Sequence, residues 1–283
     1  MLNLIVADPL RMQRTQGAGR LSVRQLDGHT RLADLYQQGS AKIRLPKTVG
    51  HGAAEAVLIN TAGGLTGGDM LEWTVEAGAN AGLNLTTQAC EKIYRSSGGE
   101  ALVKTRLSAD SGANLAWLPQ ETILFDRSRL VRTLQAEIRP DARLVACEAV
   151  IFGRHARGES VNTGSFRDRW LVRCDGVPVH REDFRIEGAV ARHLERAAAG
   201  AGMGAFATVL LVGPDAEDML ERVRETLRND TDVKSGASAL SVGPTGKLLA
   251  RMAAKDGYAM RKALLPLLRL LNGEAGLPRI WST

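Results

Sequence analysis

The sequence is poor in the residues on which much catalysis and metal storage depend. Five histidines and three cysteines are spread over 283 residues, and no His-Glu-x-x-His, clustered histidines or Gly-x-Ser-x-Gly elbow occurs. Hydrolysis of those types has no anchor. Cys90, Cys147 and Cys174 are odd in number and far apart, which fits neither a disulfide framework nor a structural zinc site. They read as small buried apolar residues. Aromatics make up only 4%, which speaks against a carbohydrate platform, and no basic run interleaved with aromatics marks a nucleic-acid binder. No apolar run reaches the length of a membrane span, since the stretch 263–268 ends at Arg269. Residues 1–6 have no leading basic residue and too short an apolar core for a signal peptide. The expectation is a cytoplasmic protein that binds neither nucleic acid nor membrane.

What is present is glycine, at 30 residues, and a net charge of +6 in which arginine outnumbers lysine. The arginines are scattered through the middle of the chain, at Arg127, Arg129, Arg132, Arg154, Arg157, Arg167, Arg169, Arg173, Arg181 and Arg185. Arginine pairs bidentately with carboxylates at protein interfaces. An acidic protein partner and a solvated basic surface both fit.

From about residue 21 to 188 the chain reads as strand after strand, with turn signals every eight to fifteen residues. Three segments share a strand, a small-residue turn and another strand, with turn residues Gly78, Gly112 and Asp141 about thirty positions apart. Recurring two-strand units of that length predict stacked β layers, a solenoid-like coil in preference to a sandwich. After residue 188 the texture changes. Residues 193–204 read as a small-residue connection, 207–212 as a strand, and 215–227 as a helix opened by Pro214. Strands at 237–242 and 248–252 precede a second helix over 258–271, with Met260, Leu264, Leu267, Leu268 and Leu271 inward and Pro266 predicted to kink it. The expected fold is mainly β: a body over 1–188 and a C-terminal β-α-β-β-α module over 189–283 packed on it as one unit.

Glycine-rich stretches raise the question of phosphate binding. Thr61-Ala62-Gly63-Gly64-Leu65-Thr66-Gly67-Gly68-Asp69 ends on an acid where a P-loop needs lysine. The residues after it alternate like a strand rather than opening a helix. Gly243-Pro244-Thr245-Gly246-Lys247-Leu248 lacks the spacing and the hydroxyl, and reads as a hairpin turn. A nucleotide-dependent enzyme is thus the weaker alternative, and no catalytic residue is assigned. His180 and Glu182 share one face of a strand, where they form either a divalent-ion site or a charged strand face. Glu121, Glu148 and Glu159 sit among apolar or turn residues, and buried carboxylates there would need nearby arginines.

Several segments together resemble the UreD (UreH) family of urease accessory proteins. They are Gly63-Gly64-Leu65-Thr66-Gly67-Gly68-Asp69, Leu85-Thr86-Thr87-Gln88-Ala89-Cys90-Glu91-Lys92-Ile93-Tyr94-Arg95-Ser96 and Trp117-Leu118-Pro119-Gln120-Glu121-Thr122-Ile123-Leu124-Phe125. Phe152-Gly153-Arg154-His155-Ala156-Arg157-Gly158-Glu159 and Leu277-Pro278-Arg279-Ile280-Trp281-Ser282-Thr283 complete the ordered set. The resemblance implies a non-catalytic scaffold that joins apo-urease to UreF and the GTPase UreG, as a dimer of heterotrimers through UreF. It also implies help in delivering nickel, bound transiently and with no permanent cofactor. Two acids on the nickel route correspond by motif position to Asp69 and to Glu182, or to its neighbour Asp183.

Overall fold

The computed structural model describes residues 14–46, 53–153, 158–228 and 232–282. Residues 1–6, weighed above as a leader, lie outside them. The first element is an antiparallel hairpin of β1 (Gln16–Leu26) and β2 (His29–Gly39). Asp27 and Gly28 turn it at φ 49° and 75°, the positive pair that suits the right-handed twist of the strands. β3 (Ala41–Arg44) and β4 (Ala54–Asn60) then pair in a second sheet.

From β4 the chain winds as stacked coils, each passing between two facing sheets. Sheet A receives β5 (Met70–Ala77), β8 (Ala101–Ala109), β11 (Arg129–Ile138) and β13 (Gly164–Cys174), all in parallel register beside β1. Sheet B receives β6 (Gly82–Thr87), β9 (Asn114–Trp117) and β12 (Arg143–Phe152), parallel to β4. The predicted repeat is this coil. Each crossing from A to B closes with the same backbone hydrogen bond: Ala81 to Gly78, Ala113 to Asp110 and Ala142 to Arg139, at 2.9–3.0 Å. The three alanines are fully buried, because successive coils stack at strand spacing and leave room at the corner for little more than a methyl group. Leu83, Leu115 and Leu144 line up in register above one another in sheet B. Each such side chain contributes about 1.5–3 kcal/mol by leaving water.

β14 (Val177–Gly188) folds back antiparallel on β13 and ends sheet A. The chain then returns to sheet B, where β15 (Ala205–Gly213) pairs with β12, followed outward by β17 (Thr245–Ala254) and β16 (Val233–Val242). Sheet B therefore continues across residue 188 without a break. Three helices are described rather than the two expected. The added one is short, α1 (Val190–Glu195), placed where a connection was read and fixed by buried Val190. α2 (Leu220–Arg228) starts later than its acids suggested. Asp215 binds Arg143 through Nε at 3.0 Å and Glu217 accepts from Ser241, so tertiary partners take the acids read as a helix start. α3 (Gly257–Asn272) has Asp256 as its N-cap, accepting from the Ala259 amide at 2.9 Å. It continues through Pro266, and the five residues predicted inward are fully buried.

The result is three layers with two cores. One core fills the space between the sheets, including Trp73, Leu134, Phe166 and Trp170. The other lies between the far face of sheet B and helices α2 and α3. Gly243 turns the β16–β17 hairpin at φ 58°, as the rejected phosphate loop was expected to do.

Candidate functional site

The segments quoted above as motifs meet at one corner of the coil, where the chain passes from sheet B back to sheet A. β7 (Glu91–Ile93) and β10 (Thr122–Leu124) are short strands lying parallel between Leu65 and the end of β12. Leu65, Ile93, Leu124 and Phe152 form one buried ladder there. Of the fourth motif, residues 154–157 lie outside the described residues, but Gly153 closes the ladder by donating to the Leu124 carbonyl at 2.8 Å. The glycines are backbone devices. A Cβ on Gly64 would stand 2.8 Å from the Lys92 carbonyl oxygen and strike the Tyr94 ring. Gly68 has φ 91° and leaves space for Arg14.

Asp69 lies at the exit of this glycine segment and is buried. Its two carboxylate oxygens accept from different backbone amides, Thr66 and Thr15, each at 2.8 Å. The Met70 amide donates to the Thr15 carbonyl at 2.9 Å. Asp69 thus closes its own turn and fastens the entry to β1. Glu182 lies on β14 with its side chain only 10% exposed, facing inward toward sheet B. Arg251 donates to it at 3.0 Å and Thr208 at 3.4 Å, and His180 Nε2 stands 3.7 Å from its Oε2. Burial raises the Glu182 pKa, but His180, Arg251 and Thr208 outweigh it and hold the carboxyl below its ordinary value. The His180 ring is buried, packs edge-on against Trp170, and its Nε2 has no hydrogen-bond partner. Asp183 faces the other way and forks with Arg167 at 2.6 and 2.8 Å on the outer surface. Glu182 and Asp183 are therefore on opposite faces of sheet A. Asp69, at the start of β5, and Glu182, on the edge strand, are at different places in that sheet. Among the described residues no three His, Cys, Asp or Glu side chains gather in metal-binding geometry.

The expectation that inward acids find cations holds for Glu121 and Glu148. Glu148 lies between the sheets, bound by Arg132 at 2.5 Å and by the Trp117 indole at 2.8 Å. Arg132 also reaches Asp168 at 2.6 Å and Thr122 at 3.0 Å. Two carboxylates thus share one guanidinium in a dry core. Burial pushes the Glu148 pKa up to about 7, with Arg132 opposing and Asp168 adding to the rise. Asp168 was not singled out from the sequence, although its place among inward-facing Phe166 and Trp170 in β13 carries the signal. Glu121 pairs with Arg261 at 3.3 Å, not with a nearby arginine. Arg261 also stacks over Trp281 at 4.9 Å, and the Trp281 indole donates to the Leu118 carbonyl at 2.9 Å. The C-terminal motif is latched in this way onto the third. Cys147 and Cys174 are buried as expected, whereas Cys90 is half-buried and donates to Glu121 at 3.4 Å. Burial and then Glu121 push the Cys90 thiol up to about 12, which disfavours the reactive thiolate.

Fold and site together define a stacked-coil β protein whose motif residues build backbone corners and internal ion pairs. Comparison with known proteins gives this class a family. The family model described as UreD urease accessory protein matches residues 15–282. The urease accessory protein UreD of Mesorhizobium japonicum is 51% identical over 270 residues, covering 95% of each chain. UreD 1 of Brucella anthropi is 50% identical over 277 residues, covering 96% of each. UreD of Rhizobium etli is 49% identical over 278 residues, covering 98% of this chain and 99% of the relative. The chain belongs to the UreD family of urease accessory proteins.

Proposed function

We propose that this chain is a non-catalytic urease maturation factor. It bridges apo-urease to UreF and UreG, assembles as a dimer of heterotrimers through UreF, and helps pass nickel to the urease active site. The observation that carries the proposal is the family match along nearly the whole described chain. Nickel is cargo in this reading, held briefly rather than kept. Imidazole suits such an ion, and an isolated carboxylate holds it more weakly. A micromolar site already represents about 8 kcal/mol of binding, so a relay is better served by sparse ligands.

Of the two acids that the resemblance places on the nickel route, Glu182 is engaged by Arg251 and Thr208 but has beside it His180 Nε2, which makes no hydrogen bond and adds an imidazole to the carboxylate. Asp69 has both oxygens engaged by amides, and its contribution to such a route would come with opening of the turn. Among the described residues no helix is long and apolar enough to cross a membrane, and a cytoplasmic location is part of the proposal.

The test is co-expression of this chain with the urease subunits, UreF and UreG in nickel-supplemented cells. Omission of the chain, and separately Glu182→Gln, is expected to lower urease activity and the nickel content of purified urease. Full nickel content without the chain would end the maturation reading. Full content with Glu182→Gln would remove Glu182 from the route.

A further inference from the structure

Sheet A is covered on one face by sheet B, while outward positions on its other face are exposed or half-buried. At the β13–β14 edge that outer face carries five arginines and no lysine. The register sets Arg167 opposite Arg185, Arg169 opposite Asp183, and Arg181 opposite Leu171. Like charges facing each other across a sheet weaken it, and the one such pair here, Arg167 and Arg185, has carboxylates beside it. Arg167 is neutralised by Asp183 and Arg185 by Glu187. Arg169, Arg173 and Arg181 make no ion pair among the described residues. Asp183 is held below its usual pKa first by the Arg167 hydrogen bond, with the charges of Arg169 and Arg181 adding to it.

These three arginines surround one apolar side chain. Leu171 is half-buried, two positions from Arg169 and from Arg173 on β13 and directly across from Arg181 on β14. The same hairpin ends in Val177, 46% exposed. An apolar centre ringed by unpaired guanidinium groups is the composition of a protein-interface hot spot, where arginine adds bidentate capture of carboxylates. It does not suit a nucleic-acid backbone. Asp183 and Glu187 share the face, and the aromatic rings of these two strands, at Phe166, Trp170 and Phe184, alternate onto the inner side.

We propose that this arginine face, centred on Leu171, docks an acidic protein surface within the urease maturation assembly. The proposal rests on the maturation reading above and adds to it the surface used and the charge of the partner. Oppositely charged patches raise the rate of encounter and fix the register of the complex.

The test uses the tagged full-length chain co-expressed with the urease subunits, UreF and UreG. Capture of each is compared for the wild type, R169E/R173E/R181E, and a control R20E/R24E on β1 at the far side of the same face. The triple variant is expected to lose at least about tenfold in capture of one of these proteins, in line with ΔΔG values of about 1.4 kcal/mol or more at hot spots. The control is expected to retain capture. Wild-type capture should fall as salt rises from about 0.05 to 0.5 M, as the screening length shortens. The single variant R181E gives the same reading should the triple variant prove unstable by thermal denaturation. Wild-type capture with an unaffected triple variant and unaffected R181E overturns the docking surface and leaves the maturation reading intact. Capture of none of these proteins by the wild type overturns both. Capture abolished by nuclease treatment assigns the face to nucleic acid instead and overturns the proposal.

Discussion

Arg132→Met isolates the charged centre of the inter-sheet core. The guanidinium, 6% exposed, holds Glu148 and Asp168, at 5% and 11% side-chain exposure. Removing one partner of such a group leaves uncompensated charge in a dry environment and costs about 3–5 kcal/mol. Protonation gives the variant a partial escape. Burial already raises Glu148 to about 7 with the cation present, and without Arg132 the same carboxyl rises further. A folded-state pKa above the unfolded value of 4.5 favours folding at low pH, and that contribution is lost as pH rises toward the folded pKa. In wild type the window runs from about 4.5 to about 7, and in the variant it extends higher. Urea denaturation should therefore show a loss of about 3–5 kcal/mol at pH 8. At pH 5 the loss should be smaller by about 1–3 kcal/mol, at about 1.4 kcal/mol per pKa unit. R132M/E148Q/D168N, which removes all three charges, should recover most of the pH 8 loss. A loss under about 1 kcal/mol at pH 8, or the same loss at both pH values, would refute the idea of one cation holding two buried acids.

Three further outcomes are expected. Glu91 is half-buried, accepts from Asn60 at 3.1 Å, and is raised by desolvation to about 7; Glu91→Gln should therefore remove up to about 3 kcal/mol of stability lost between pH 4.5 and 7, measured by urea denaturation at pH 5 and 8. An unchanged slope would show that Glu91 ionises normally. Gly68→Val should cost about 1–3 kcal/mol through its positive φ and its approach to Arg14, whereas Gly98→Ala, with open space around it, should leave the melting temperature within a few degrees. Equal melting temperatures for the two would remove the backbone argument. Trp281→Ala should destabilise by about 3–5 kcal/mol, because the indole is 1% exposed and bridges Arg261 and Leu118; thermal denaturation indistinguishable from wild type would refute the latch.

The coil was legible because its corners repeat in composition as well as in geometry. Gly78, Gly112 and Asp141 mark turns that recur at the height of one coil, and small residues beside them follow from the stacking distance. The late helix was legible for a similar local reason, since Met260, Leu264, Leu267, Leu268 and Leu271 declare one face. Where tertiary partners compete with local signals the sequence was a poorer guide. Asp215 and Glu217 looked like a helix start, yet bind Arg143 and Ser241. At the site, strand alternation alone put His180 and Glu182 on one face, but that this face is the inner one came only from the structure. The sharing of Arg132 by Glu148 and Asp168 did not, because it joins three strands in two sheets and depends on register between coils. Cys90 shows the same limit. Its partner Glu121 lies one coil away, so only stacking brings the thiol and carboxylate together.

The latch at Trp281 also sets an order on synthesis. Domains generally organise from the N-terminal side as a chain emerges from the ribosome, and the coils of sheets A and B can stack as soon as their own residues appear. The second core cannot close so early. Val145, Cys147 and Val209 present an apolar face of sheet B whose cover is α2, α3 and Trp281, and these covering residues are all made after the coil. A nascent chain therefore carries a formed sheet with one greasy side uncovered until residue 281 is free to reach Leu118. During that interval the apolar face of sheet B is open to solvent and to contact with other chains, the exposure that makes incomplete folds prone to association.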